Sequence, residues 1–272
     1  MDDTYDNLRI DLPRPGLMTV TLDRPDELNA MNVDLVQDLR DLFTQIRHDS
    51  TIRAIVLTGS GRAFCAGLDL HGYGNPPGTA EDEGRVQLGL RVQQHIAELI
   101  DAVRSVRAPI IAAVNGAAAG GGMSLALMCD IRLIADTAKF HAAYIRRGLS
   151  NCDIGMSWLL PRLVGFSRAS QIMLTGRSID AEEAERIGLV SSVHPADGLL
   201  DAAIDTAEQI AGNSPFGVWM TKEVMWSNLE APSLRAAIDL ENRTQILAAQ
   251  TKDHREAVKS FLQKRPPEYR NH

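Results

Sequence analysis

Cysteine is scarce. The three present, Cys65, Cys129 and Cys152, are an odd number without CxxC spacing. A disulfide framework and a thiolate zinc site are therefore not expected, and a reduced, cytoplasmic protein is the default. There is no excess of positive charge: the formal net charge is −7. That argues against a nucleic-acid footprint, while local Arg and Lys can still serve an anionic ligand. No apolar run reaches the ~18 residues of a membrane span. The most apolar stretch, Ile110–Cys129, is interrupted by Asn115 and four glycines. The acidic segment Met1–Asn7 leads into no apolar run, so neither a signal peptide nor membrane insertion is expected. Internal repeats and low-complexity tracts are lacking too. What is present is ordinary globular composition, 44% apolar and 23% charged over 272 residues, enough for a large core.

Leu17–Leu22 alternates as a strand, and Asp23-Arg24-Pro25-Asp26 is a turn signal. Asn32 or Asp34 caps a helix running to about Arg47, with Leu35, Leu39, Leu42, Phe43 and Ile46 on one face. Arg53–Leu57 reads as a buried strand. Gly72–Gly84, rich in glycine and proline, reads as a mobile surface loop. A long helix over Arg85–Val106 carries Val92, Ile96, Leu99, Ile100 and Val103 at helical spacing, and Pro109 stops it. Strand Ile110–Val114, a glycine-rich turn, buried helix Met123–Cys129 and strand Ile131–Ala135 follow. This alternation predicts an α/β core. After Ser178 come helix Ala181–Ile187, ended by Gly188, and a short strand Val190–Val193. Helices Leu199–Ala211, Pro215–Leu229, Leu234–Gln250 and Arg255–Leu262 complete the chain, with Ser214 and Ser233 as caps. Two regions are expected: an α/β core over 1–195 and a helical region over 196–272.

Two glycine turns stand out. Gly59–Leu70 (GSGRAFCAGLDL) follows a strand, and Gly67 permits a positive φ or a close approach, turning the Leu68 N–H outward. Val114–Cys129 (VNGAAAGGGMSLALMC) runs a strand through three glycines into a helix. The first N–H groups of a helix lack partners and sit at its positive end, which suits an anion. A plain strand-to-loop turn and close helix–strand packing are the alternative readings of these two segments. Neither is a dinucleotide fingerprint or a phosphate-binding P-loop.

Taken in order, these segments resemble the crotonase superfamily, the enoyl-CoA hydratase/isomerase family. The similarity starts at Leu22–Met31 (LDRPDELNAM), passes through both turns, and includes Met173–Gly176 (MLTG), Ala184–Val190 (AERIGLV) and Phe261–Arg265 (FLQKR). The resemblance implies a spiral of ββα units, a C-terminal helical trimerisation region, and homo-trimers often paired into hexamers. It implies an acyl-CoA substrate, with coenzyme A as part of the thioester, and neither a prosthetic group nor a metal. The amides of Leu68 and Gly121 would flank the thioester oxygen, where two preorganised donors stabilise an enolate by several kcal/mol. Ala66, Asp69 and Leu70 match the stretch near adenine and pantetheine. Arg24 matches a phosphate contact, although Asp26 stands where hydratases often carry a basic residue. Phe261 and Lys264 match a pair that reaches coenzyme A, sometimes from a neighbouring subunit; otherwise they are an apolar anchor and a solvated charge.

The sequence departs from hydratases where acid and base are needed. Hydration takes a base for water and an acid for C2. Family hydratases use two glutamates, and here Ser124 and Tyr144 stand in their places. A serine hydroxyl is no base without help, and tyrosine titrates near ~10. Asp153, in a loop one residue longer than the matching hydratase loop, falls where some relatives carry an acid/base or nucleophilic aspartate. Its alternative role is a helix cap near Ile154. Ser124 either orients a water or substrate group or packs its helix. Tyr144 either donates to substrate or is a half-buried aromatic. His95 reads as a boundary histidine, His71 as solvated, and Cys65 and Cys152 as packing residues. The expected function is an acyl-CoA enzyme of the hydratase/isomerase type. The alternatives are other thioester chemistry through Asp153 (isomerase, hydrolase or dehalogenase-like) and a non-catalytic acyl-CoA-binding protein.

Overall fold

The computed structural model describes residues 5–271; residue 272 and residues 1–4, which begin the acidic N-terminal segment, lie outside it. Strands β1 (Leu8–Asp11) and β2 (Leu17–Leu22) form an antiparallel pair, and α1 (Val33–Ile46) follows. Asn32 caps α1, its side-chain oxygen accepting from the Leu35 N–H at 2.9 Å. The expected apolar face is buried, and Val36 joins it.

Three ββα units come next. They are β3 (Ala54–Gly59), β4 (Ala63–Cys65) and α2 (Arg85–Ser105); β5 (Ile110–Val114), β6 (Ala117–Ala119) and α3 (Gly121–Met128); and β7 (Ile131–Ala135), β8 (Lys139–His141) and α4 (Met156–Val164). Each unit gives its first strand to a six-stranded sheet, ordered β1-β2-β3-β5-β7-β10, and its second to a four-stranded sheet, ordered β4-β6-β8-β9. Between these units the strands pair in parallel in both sheets. This is the expected spiral, and it arises without a sequence repeat. Helices α5 (Phe166–Thr175) and α6 (Ala181–Arg186) flank β9 (Ser178–Asp180), and β10 (Ser192–His194) pairs with β7.

Parallel strands covered on both faces read as continuous apolar runs, and β3 and β5 are buried along their whole length. So is β2, including Thr19 and Thr21, although alternation of this kind often marks a half-exposed strand. Helix α7 (Leu199–Ala211) lies on this sheet against β2, β3, β5 and β7. The expected boundary after residue 195 thus precedes a helix that packs on the sheet. Helices α8 (Pro215–Asn228), α9 (Leu234–Ala249) and α10 (Lys252–Gln263) follow, with Ser214 and Ser233 capping α8 and α9.

Helix α8 is tied to the core by a buried ion pair. Lys222 Nζ donates to Asp130 Oδ2 and to the Ala108 carbonyl, each at 2.9 Å. Trp226 Nε1 donates to the other Asp130 oxygen at 2.8 Å. Among the described residues no helix is long and apolar enough to cross a membrane.

Candidate active site

The first turn is built by two asparagines. Asn29 accepts from the Arg24 N–H and donates to the carbonyls of Ser60 and Ala63, at 2.9 to 3.0 Å. Asn115 accepts from the Gly59 N–H at 3.1 Å and donates to the Gly61 carbonyl at 3.1 Å. The β3–β4 turn is thereby held between the LDRPDELNAM segment and the end of β5. Beyond β4, Met31 pairs with the chain: its N–H donates to the Gly67 carbonyl at 2.7 Å and its carbonyl accepts from the Asp69 N–H at 3.0 Å. Neighbouring peptide groups of an extended chain point in opposite directions. With the Gly67 carbonyl and Asp69 N–H facing Met31, the Leu68 N–H faces the other way.

On that other side lies the second turn. A Cβ on Gly67, whose φ is +94°, would sit 2.7 Å from the Ala119 carbonyl oxygen and 3.4 Å from Gly121 N. No side chain fits there, so the two glycine turns are in direct contact. Gly120 has φ +49°, and Gly121 opens α3, so its N–H has no partner within the helix. A Cβ on Gly122 would lie 2.1 Å from the Cys65 carbonyl oxygen, which keeps α3 close to β4. The segments carrying Leu68 and Gly121 therefore meet.

Tyr144, Ser124 and Asp153 gather around the same point. Tyr144 is only 6% exposed, and a Cβ on Gly121 would be 3.1 Å from its hydroxyl. Burial first, then the neighbouring Asp153 carboxylate, push its phenol well above the usual tyrosine range. Ser124 is fully buried, and its hydroxyl donates to the Asp153 carbonyl at 3.3 Å. It anchors the Asp153 backbone, a role that packing alone did not suggest. The Asp153 carboxylate caps no helix. Helix α4 begins at Met156 behind an αL Gly155 without a side-chain cap, and the carboxylate instead accepts from the Gln93 side-chain amide on α2.

Three supporting residues escape sequence reading. Gln93 precedes Ile96 by three on the α2 stripe, so its position beside the apolar face was visible but its partner was not. Asn151, nearly buried, accepts from the Tyr144 N–H at 3.0 Å and donates to the Met173 carbonyl at 2.6 Å, fixing the Tyr144 turn against α5. Ile154 has φ +45°, unusual for a β-branched residue. Backbone strain of this kind concentrates at functional sites. Ile154, with Met31, Leu99, Ile100, Leu125 and Met128, closes an apolar cavity of about 10 Å³ beside Gly121, room for one water at most. A larger groove of about 740 Å³, between β7, α4 and α8, is lined by none of Leu68, Gly121, Ser124, Tyr144 and Asp153.

The residues matched to coenzyme A divide. Arg24 donates to the Ala30 carbonyl and pairs with Asp69 at 3.3 Å, both side chains largely buried. The His71 N–H first, and then Arg24, hold the Asp69 carboxyl below the usual carboxylate range against the cost of burial. Ala66 is half-buried and its N–H donates to the Leu28 carbonyl at 3.0 Å, whereas Leu70 is exposed. These four lie along the first turn. Phe261 and Lys264 do not join them: they sit exposed at the end of α10, which packs on α9.

His95 is buried rather than at a boundary. Its Nδ1 meets the Tyr73 hydroxyl at 2.6 Å and its Nε2 meets Gln37 Oε1 at 3.0 Å. A hydroxyl donor on one nitrogen and an amide oxygen acceptor on the other fit a neutral ring protonated on Nε2, and burial followed by Arg40 lowers its pKa. His71 is exposed. Burial raises Cys65 and Cys129 to about 12, so neither is a thiolate, and Cys152 is an exposed free thiol. Among the described residues no cluster of His, Cys, Asp or Glu could hold a metal ion.

A spiral of ββα units whose glycine turns meet beside a carboxylate defines a class of fold and site, and comparison with known proteins gives the family. The enoyl-CoA hydratase/isomerase profile matches residues 14–272. The probable enoyl-CoA hydratase EchA12 of Mycobacterium tuberculosis is 42% identical, over 95% of this chain and 90% of that protein. The 1,2-epoxyphenylacetyl-CoA isomerase of Escherichia coli is 39% identical, over 93% and 95%. The crystal structure of a probable enoyl-CoA hydratase/isomerase from Mycobacterium abscessus superposes with a TM-score of 0.90 at 40% identity, covering 98% of this chain and 99% of that one. The chain belongs to the enoyl-CoA hydratase/isomerase family, and as such is a lyase or isomerase that processes acyl-CoA thioesters.

Proposed function

We propose that this enzyme moves a proton between carbons of an enoyl-CoA, an isomerisation, with the Leu68 and Gly121 amides holding the enolate oxygen and Asp153 carrying the proton. One observation carries the choice between lyase and isomerase. The two positions that hold glutamates in family hydratases bear the hydroxyls of Ser124 and Tyr144, and the nearby carboxylate is Asp153. Adding water takes two acid/base groups, whereas a proton shift takes one. Asp153 removes a proton from C2, negative charge collects on the thioester oxygen, the double bond relocates, and the same carboxyl returns the proton at C4. No atom is gained or lost. The isomerase among the relatives supports this reading.

Arg24, Ala66, Asp69 and Leu70 line the approach for coenzyme A; the Arg24–Asp69 pair organises the turn and leaves phosphate contact to the outer guanidinium edge. Phe261 and Lys264 serve a neighbouring subunit in a homo-trimer or hexamer. Exposed Leu234, Ile246, Leu247, Phe261 and Leu262 on α9 and α10 support such burial. Three free cysteines fit a reducing compartment such as the cytoplasm. The deciding assay offers 3-enoyl-CoA and crotonyl-CoA in parallel. Conversion of the first to the conjugated isomer, with the second hydrated at least roughly 100-fold more slowly, is expected. Fast hydration of crotonyl-CoA overturns the isomerase assignment.

A further inference from the structure

Buried polar groups in folded proteins are nearly always paired, and an exception asks for an explanation. Tyr144 is such an exception. Its side chain is 6% exposed, and its hydroxyl makes no well-formed hydrogen bond among the described residues, although the Asp153 carboxylate and the Gly121 N–H lie close to it. Its ring lies 3.2 Å from where a Cβ on Gly120 would be, and the hydroxyl lies 3.1 Å from a Cβ position on Gly121. The hydroxyl therefore stands at the first turn of α3, where the Gly121 N–H also lacks an intrahelical acceptor. Asn151 pins the Tyr144 backbone, which fixes the ring against the glycines. The Leu68 N–H, the Gly121 N–H and the Tyr144 O–H are thus three donors where the two glycine turns meet.

We propose that Tyr144 is a catalytic residue of this enzyme, the third donor to the thioester oxygen, completing with Leu68 and Gly121 a three-point cradle for the enolate. This rests on the proton-transfer reading above and adds a group to it. The raised pKa of the phenol agrees: Tyr144 keeps its proton throughout and acts by hydrogen bonding alone, while Asp153 carries the migrating proton. The placement beside Asp153 has a further consequence. Before proton abstraction the negative charge is on the carboxylate; afterwards the carboxyl is neutral and the charge is on the thioester oxygen. The hydroxyl close to the carboxylate is drawn to it first and to the thioester oxygen as the charge moves there, so its interaction with the oxygen strengthens as the enolate forms. That is the differential binding that accelerates a reaction.

The test uses acetoacetyl-CoA, an enolisable thioester whose enolate absorbs in the near ultraviolet, and butyryl-CoA, a saturated thioester that stays in its carbonyl form. Both are titrated against the full-length wild type and Tyr144→Phe, which keeps the ring. The enolate fraction of bound acetoacetyl-CoA is expected to fall roughly tenfold or more in the variant, with its apparent pKa rising by about one unit or more. Butyryl-CoA affinity stays within about twofold, since a ground-state carbonyl gains little from the third donor. Equal enolisation by the two proteins overturns the proposal. So does an equal loss of affinity for both thioesters, which would assign Tyr144 to packing alone. Failure of the wild type to enolise bound acetoacetyl-CoA removes the amide cradle itself, and the proposal with it.

Discussion

The side-chain amide of Gln93 donates to the carboxylate of Asp153, joining α2 to the loop ahead of α4. Ser124 holds the backbone of the same aspartate from α3. Asp153 is thus gripped by side chain and by main chain from two different helices, and this preorganises it beside the glycine turns.

Asp153→Asn keeps the shape and removes the base. On 3-enoyl-CoA, kcat is expected to fall by roughly 10²–10⁴, with KM changed only a few-fold. Gln93→Leu, which frees the carboxylate but leaves it in place, is expected to lower kcat by a smaller factor, roughly tenfold. Steady-state kinetics on both variants check this; unchanged turnover in Asp153→Asn removes it from the mechanism.

Gly67→Ala places a methyl group 2.7 Å from the Ala119 carbonyl and requires a φ of +94°. The two turns must separate, and the Leu68 and Gly121 amides lose their common focus. Turnover is expected to drop by roughly 10²-fold or more, with circular dichroism still showing a folded protein. Wild-type turnover in a folded Gly67→Ala enzyme argues that the turns do not cooperate.

Lys222→Met leaves the largely buried Asp130 carboxylate without its cation. Loss of one member of a buried pair costs about 3 kcal/mol, and the urea midpoint should fall accordingly. Adding Asp130→Asn should recover part of that loss, because the stranded charge is gone. No recovery in the double variant means that packing of α8, rather than charge, carries the effect.

His95 is neutral in the fold, with a pKa below its usual value. Between that lowered pKa and ~6.5 the unfolded chain binds the extra proton and the folded chain does not. Stability therefore rises with pH across this window and is lost as pH falls below about 6.5. Protonation also turns Nδ1 into a donor facing the Tyr73 hydroxyl. Urea midpoints at several pH values should show a shallower slope between pH ~5 and ~7 in His95→Gln than in the wild type. Identical slopes exclude His95 as the source.

Long elements were legible from local pattern. The α1 stripe, a cap at Asn32 or Asp34 that the structure gives to Asn32, the extent of α2, and the caps at Ser214 and Ser233 follow from spacing and side-chain chemistry within a few residues. The four-stranded sheet was not legible: β4, β6, β8 and β9 have three residues each, too few for a period. Only the start of helix α4 is legible in the sequence, and of the two roles open to Asp153 the helix cap is not the one its side chain takes, since it turns to Gln93.

By itself the chain's order of residues determined its family, its α/β core, the two glycine turns and the loss of both hydratase glutamates, because these are written in local chemistry and in ordered motifs. Only the tertiary structure decided that Leu68 faces the start of α3, that Ser124 and Gln93 hold Asp153, and that the Tyr144 hydroxyl is buried beside Gly121 and Asp153. Those relations join residues far apart in sequence. They come from the spiral that stacks one ββα unit on the next, and no short window of sequence contains that stacking.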